Sequence, residues 1–220
     1  MRNYTNSRKK GEYANRKSNK GTYKKNRKFE NYGYVLDYLE YGHITENTTD
    51  FRQQKPIAQV FGEEQFVLME VVLKENCPVE LAERIYLGRK GRDKVDFVSK
   101  MIKYEELTPT AKTELHYVIK EAILQNEERF VKFINNCGPI TNRMHMLQLL
   151  PGIGKTVMWK IIEEREVKPF TTFKEIDNRV HRNLEEAIAK RIELELKEPQ
   201  KYYLFVEWKA NHIEYDENEK

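Results

Sequence analysis

At Thr108-Pro109 the apolar residues stop recurring at every second position and begin recurring every third or fourth, and this switch constrains the fold more than any other feature. Before it lie five short runs rich in Val, Ile, Phe and Tyr: YGYVLDYL from Tyr32, IAQVF from Ile57, FVLMEVVL from Phe66, RIYL from Arg84 and VDFVSKMI from Val95. Punctuated by Gly, Pro, Asn and Asp, they predict the strands of a small OB-like antiparallel β-barrel. Gly62-Glu63-Glu64 is short enough to join the second and third runs as a hairpin. The polar stretch HITENTTDFRQQKP reads as a long exposed loop between the first and second. NCPVELAE stands where such a barrel usually carries a helix between its third and fourth strands.

After the switch the pattern is helical. Thr108 is placed to cap a helix whose first position is Pro109, and Ala111, Leu115, Val118 and Ala122 form its apolar stripe. Phe130, Val131 and Ile134 carry the pattern to Asn136, where Gly138-Pro139 stops it. Thr141 is expected to cap a short helix through Leu150, and a further helix should run from Lys155 to about Arg165. Thr172 and Glu175 have the spacing of a capping box for a helical segment reaching Lys197, broken near Asn183. YYLFVEW from Tyr202 reads as a last strand before an acidic end. The expected class is α+β: a basic arm over 1–29, the barrel over 30–106, an all-α part over 107–200, and a strand with acidic tail over 201–220.

The stretch LLPGIGKTVMWK joins two of those helices and contains the GKT that ends a nucleotide-binding P-loop. A P-loop needs a glycine five positions before the glycine of that ending, and Leu149 stands there; it also needs a preceding buried strand, whereas RMHMLQLL has Met144, Leu147 and Leu150 at helical spacing. Leu150-Pro151-Gly152-Ile153-Gly154-Lys155 instead resembles the turn of helix-hairpin-helix nucleic-acid-binding modules. In that resemblance Gly152 and Gly154 allow close approach, Ile153 packs inward, and the amides of the turn and of Thr156 meet a phosphate with Lys155 beside them. Such modules often come in pairs. The segment VHRNLEEAIAKRI near Val180 is the candidate second copy, and without glycine it is expected to be structural.

Charge is unevenly divided. The net +4 conceals eleven cations against the single acid Glu12 in residues 1–28, among them Lys9, Lys10, Lys24, Lys25, Arg27 and Lys28. Such an arm lacks the aliphatic residues that would offset the entropy of ordering, so it is expected to be flexible. Its cations with Tyr4, Tyr13 and Tyr23 suit single-stranded nucleic acid, phosphates meeting charge and bases meeting rings. Further candidate contacts are Arg89, Lys90, Arg92 and Lys94 in the loop from Gly88, and Arg52 with Lys55 in the first long loop. No apolar run approaches the roughly 20 residues of a bilayer span, so a cytoplasmic location without membrane partners is expected. Cys77 and Cys137 match no metal spacing and read as reduced thiols. The motifs HExxH, GxSxG, CxxC and the dinucleotide fingerprint are missing and the five histidines are scattered, so no catalytic residue, metal or cofactor is expected.

Taken together, YGYVLDYLEYGH, IAQVFGEEQFVLMEVV, IKYEELTPTAK, LLPGIGKTVMWKIIEER and KYYLFV resemble archaeal domain-of-unknown-function family 655 over roughly residues 30–206. The resemblance implies an OB-like barrel joined to a helix-hairpin-helix region that binds RNA or nucleotides. Family genes commonly lie beside those for a ribosomal protein, an RNA polymerase subunit and an rRNA dimethyladenosine transferase. That neighbourhood favours RNA over DNA and adds ribosomal or transcription proteins as further partners. The expected function is non-enzymatic nucleic-acid binding. The alternatives are a protein-interaction module of a translation or transcription assembly, DNA binding, and a metal-dependent nuclease.

Overall fold

In the computed structural model, which describes residues 30–43 and 55–206, the five apolar runs form one antiparallel sheet. Its strands are β1 (Tyr32–Leu39), β2 (Ile57–Gly62), β3 (Leu68–Leu73), β4 (Arg84–Tyr86) and β5 (Val95–Met101), in the order β4-β1-β2-β3-β5. The sheet is a curled half-barrel, with β4 and β5 as its two edges. The basic arm with Lys9, Lys10, Lys24, Lys25, Arg27 and Lys28, the loop residue Arg52 and residues 207–220 lie outside the described residues.

Both faces of the sheet are covered, which is why LMEVVL reads as an almost unbroken apolar run. Val35, Ala58, Val60, Val71, Ile85 and Val95 pack together on the inner face. Tyr34, Leu36, Phe61, Phe66 and Leu68 face outward and share a second core with Leu115, Ile119, Phe130, Ile161 and Ile188 of the helices. Between the two layers runs a short polar seam. The buried Gln59 accepts from Thr108 N at 2.9 Å and donates to Glu106 O at 3.0 Å. Thr108 Oγ1 donates to Asp37 Oδ2 at 2.6 Å and accepts from Ala111 N at 3.0 Å. The predicted cap therefore fixes α1 (Pro109–Gln125) to β1 and β2 at the residue where the apolar period changes.

The expected continuous helix breaks at Asn126, giving α1 and α2 (Glu127–Asn136). Asn126 Nδ2 donates to Ala122 O at 3.1 Å and to Glu63 Oε1 at 3.2 Å, a side-chain competition with the backbone that ends the first helix. The helix expected after Thr141 is not present, and the helical part is not all-α. Pro139–Thr141 and Met144–His145 pair as strands β6 and β7, followed by a 3₁₀ turn over Met146–Leu149. So short a segment falls below the ~12–15 residues a helix needs to stand by itself, and the three-residue spacing of Leu147 and Leu150 suits a 3₁₀ turn. His145 caps that turn, its Nδ1 accepting from Leu147 N at 3.1 Å.

The helices α3 (Lys155–Val167), α4 (Phe173–Val180) and α5 (Leu184–Lys197) complete the fold. Thr172 caps α4 as expected, accepting from Glu175 N at 3.1 Å. Glu175 reaches back one residue further than a capping box would, accepting from Thr171 N at 2.9 Å and Thr171 Oγ1 at 2.8 Å. Residues 201–206 are not a strand. The amides of Leu204, Phe205 and Val206 donate to the Glu195 carboxylate at 2.7, 3.0 and 2.9 Å. That carboxylate takes the place of a neighbouring strand and also pairs with Arg191 Nε at 2.8 Å.

A second buried carboxylate staples the sheet. Glu30 accepts from the amides of Glu64 and Gln65, each at 2.7 Å, and so ties the start of β1 to the β2–β3 hairpin. Burial raises its pKa from 4.5 to about 7, the two amide bonds opposing that rise. Because the folded value lies above the unfolded one, its contribution is fully present below about pH 4.5 and is lost as pH rises through about 7. Between about pH 5 and 8 the melting temperature should therefore fall more steeply for the native chain than for Glu30→Gln. The difference should reach on the order of 2–3 kcal/mol; parallel melting curves across that range would contradict it.

Candidate nucleic-acid interface

The turn from Leu150 to Lys155 is anchored from beneath and open above. Leu150 and Ile153 are buried, and Ile153 N donates to Leu150 O at 3.0 Å. Gly152 has φ +81°, where a Cβ would be strained. Gly154 is different: at φ −77° and ψ 178° any residue could replace it, and a Cβ built there would meet nothing within 4 Å. Neither backbone strain nor a clash therefore requires glycine at 154; its local merit is that of an N-cap, where glycine is preferred to apolar residues.

Gly154 is the N-cap of α3 and supplies no side-chain cap, and the first turn contains no acidic residue. The first bond across this start runs from Met158 N to Gly154 O at 2.9 Å, so the amides of Lys155, Thr156 and Val157 precede any intrahelical acceptor. With the exposed Lys155 and Thr156 they form a positive, donor-rich surface. The helix behind it is held firmly. Arg165 donates to Ile134 O at 2.6 Å and Cys137 O at 2.9 Å, closing the C-terminal end of α2. Arg191 donates to Leu149 O at 3.4 Å, at the other side of the turn.

The α4–α5 connection has the same backbone plan with the opposite chemistry. His181 occupies the left-handed region at φ +57°, as Gly152 does, and Asn183, two residues on, is the N-cap, as Gly154 is. There Asn183 Oδ1 accepts from Glu186 N at 2.8 Å, and the first turn carries Glu185 and Glu186. Glu186 is paired with Lys120 at 3.3 Å and Lys190 at 3.2 Å. This second turn is capped by its own side chain and ringed by negative charge. His181 and Arg182 are exposed on it.

The other predicted contacts are partly occupied. Arg92 donates to Leu87 O, Gly88 O and Asp96 O at 2.8, 2.6 and 3.0 Å, clamping its own loop, and Lys94 pairs with Glu83 at 2.6 Å. Arg89 and Lys90 are exposed at the loop's tip. Lys55 pairs with Asp96 at 3.1 Å, so it lies beside that loop. Trp159 was not among the predicted residues. It is 50% exposed, four positions beyond Lys155 on the same helical face, and its signal is a tryptophan outside the i, i+4 apolar pairs Val157/Ile161 and Met158/Ile162 of its helix. His145 is buried, and desolvation together with nearby Arg165 lowers its pKa. Burial also raises the pKa of the free thiol Cys137. Among the described residues no group of three His, Cys, Asp or Glu is placed to hold a metal ion, and no helix is long and apolar enough to cross a membrane.

Comparison with other proteins matches this arrangement to one family. A family model described as "Protein of unknown function (DUF655)" matches residues 29–207. An uncharacterised protein of Methanocaldococcus jannaschii is 53% identical over 199 residues, spanning 89% of each chain. A crystal structure of the Archaeoglobus fulgidus protein Af1531, of the same family, is 45% identical with a TM-score of 0.75, covering 80% of this chain and 99% of that one.

Proposed function

Starting from a chain that belongs to the DUF655 family, we propose that it is a non-enzymatic nucleic-acid-binding protein that grips the phosphate backbone, RNA in preference to DNA, at the turn Gly152–Thr156. The observation that carries this reading is Gly154: a glycine that neither backbone angle nor packing requires, at the positive end of a well-anchored helix with no side-chain cap. A phosphate oxygen approaching the amides of residues 154–156 would occupy the space a Cβ would fill, and Lys155 adds a cation at that place. The second turn supports the reading by contrast, since with the same backbone plan Asn183 there takes the Glu186 amide and Glu185 and Glu186 set negative charge against an anion. The sheet order β4-β1-β2-β3-β5 supports an OB-like half-barrel, and Arg89, Lys90 and Lys55 offer it a basic rim beside β5.

Contacts of this kind grip backbone and do not read base edges, so the turn itself distinguishes sequences weakly. The test is direct binding of purified full-length chain to a single-stranded RNA, compared with a peptide of residues 1–28 in the same salt. Tighter binding by the full chain, at least about tenfold and without magnesium-dependent cleavage, is expected. Equal affinity would reject the folded part as a binding surface and leave the protein-interaction reading.

A further inference from the structure

Tyr34 is 2% exposed, yet its hydroxyl has no hydrogen-bond partner among the described residues, and it stands alone in this respect among their buried side-chain polar atoms. A buried hydroxyl left unpaired costs about 1–3 kcal/mol, so its retention calls for a reason. It lines a cleft of about 440 Å³ between β1, β4 and α1, within the range of roughly 300–1,000 Å³ that small-molecule sites occupy. The remaining wall is built from Ala82, Arg84, Tyr117, Glu121 and Gln125, with Val118 behind.

Each wall group has a distinct chemistry. Arg84 donates to Glu63, at 2.6 and 3.3 Å, and lies 3.6 Å from the Tyr32 ring; it stands beside the Tyr34 oxygen and, having no acceptor, leaves the phenol's O–H without a partner. Ala82 is held at φ +58° with its amide donating to Val35 O at 2.8 Å, which brings the loop before β4 against the cleft. Tyr117 presents a ring that is 67% exposed. Glu121 accepts one long bond, from Gln125 Nε2 at 3.3 Å on Oε1, and its Oε2 meets no donor among the described residues. The cleft thus combines an aromatic face, a carboxylate that accepts, an amide, and a buried phenol. Burial and the nearby Glu63 push the Tyr34 pKa up to about 12, so the phenol remains a donor throughout the neutral range.

We propose that this cleft between α1 and the β1–β4 edge takes one unpaired guanine base, stacked on Tyr117, its adjacent N–H groups donating to Glu121 and its carbonyl accepting from Tyr34. Guanine is the base that offers two neighbouring N–H donors to a carboxylate together with an acceptor for a phenol. The base could belong to a strand held at the Gly152–Thr156 turn or to a free nucleotide; the first source rests on the function proposed above, the second does not.

The full-length chain should be titrated with an all-uridine RNA, with the same RNA carrying one central guanosine, and with guanosine 5′-monophosphate. The guanosine strand should bind about tenfold more tightly than the uridine strand. Tyr34→Phe and Glu121→Gln should each erase that preference without changing uridine-strand affinity, and Tyr34→Phe should not lower the melting temperature, because it removes an unpaired buried hydroxyl. Equal binding of the two strands, with no binding of the monophosphate, would overturn the cleft while leaving the phosphate grip standing. Monophosphate binding that is lost in both variants, with neither strand bound, would support the cleft and reject the polymer. No binding of any of the three would reject both.

Discussion

Replacing Glu195 with Ala should cost about 3–5 kcal/mol of folding stability, the range expected when one partner of a buried ion pair is removed. Glu195 is fully buried and Arg191 is 4% exposed. The carboxylate binds Arg191 and also the amides of Leu204, Phe205 and Val206, so its loss strands a cation and three donors together. Arg191 donates in turn to Tyr202 O and Gln200 Oε1, and Phe205 packs its ring on Phe130 and Phe133 at 5.7 and 5.0 Å. The residues after α5 are thus locked into the helical core by one charge pair. An apolar replacement of both partners would not rescue the protein, because the three amides would still lack acceptors. Chemical denaturation of the single variant checks this; a loss below about 1 kcal/mol would mean that residues 202–206 are not docked by Glu195.

Removing residues 1–28 should produce the largest change in binding. The eleven cations of that segment leave a remainder with a net charge of −6, so long-range attraction of a polyanion rests chiefly on them. A protein neutralising about 6–10 phosphates loses roughly 10³–10⁵ in affinity between about 50 and 200 mM salt, and the full chain should behave in this way. The truncated chain should start weaker and lose much less. Plots of log affinity against log salt decide it: slopes that agree within about 0.7, one phosphate on a single strand, would remove the arm from the binding surface.

The regular elements were legible where local chemistry and burial agreed. Thr108-Pro109 announced α1, and short runs rich in Val, Ile, Phe and Tyr located all five strands, because those residues face a core on one or both sides. Two places depart from local pattern because a distant side chain outweighs it, and a third because a local cap does. Asn126 interrupts a helical stripe by bonding to Glu63 on the sheet, and Glu195 captures a β-rich run before it can pair. His145 and Gln148 close a 3₁₀ turn where apolar spacing read as a helix. At the candidate site, Gly152, Gly154 and Lys155 were readable because a tight turn depends on adjacent residues. The structural engagement of Arg92 and Lys94 was not, because Glu83 and the carbonyls of Leu87 and Asp96 meet them only in the folded loop. The Tyr34 cleft was invisible for the same reason, its walls coming from β1, β4 and α1.

Gly154→Val tests the phosphate grip most directly, since its Cβ would fall in open space and the backbone angles at 154 suit valine. The variant should remain folded, losing about 1 kcal/mol or less at the N-cap. Its affinity for single-stranded RNA at about 0.1 M salt should fall at least tenfold, a loss of about 1.4 kcal/mol of binding free energy. Unchanged affinity in the folded variant would contradict the account.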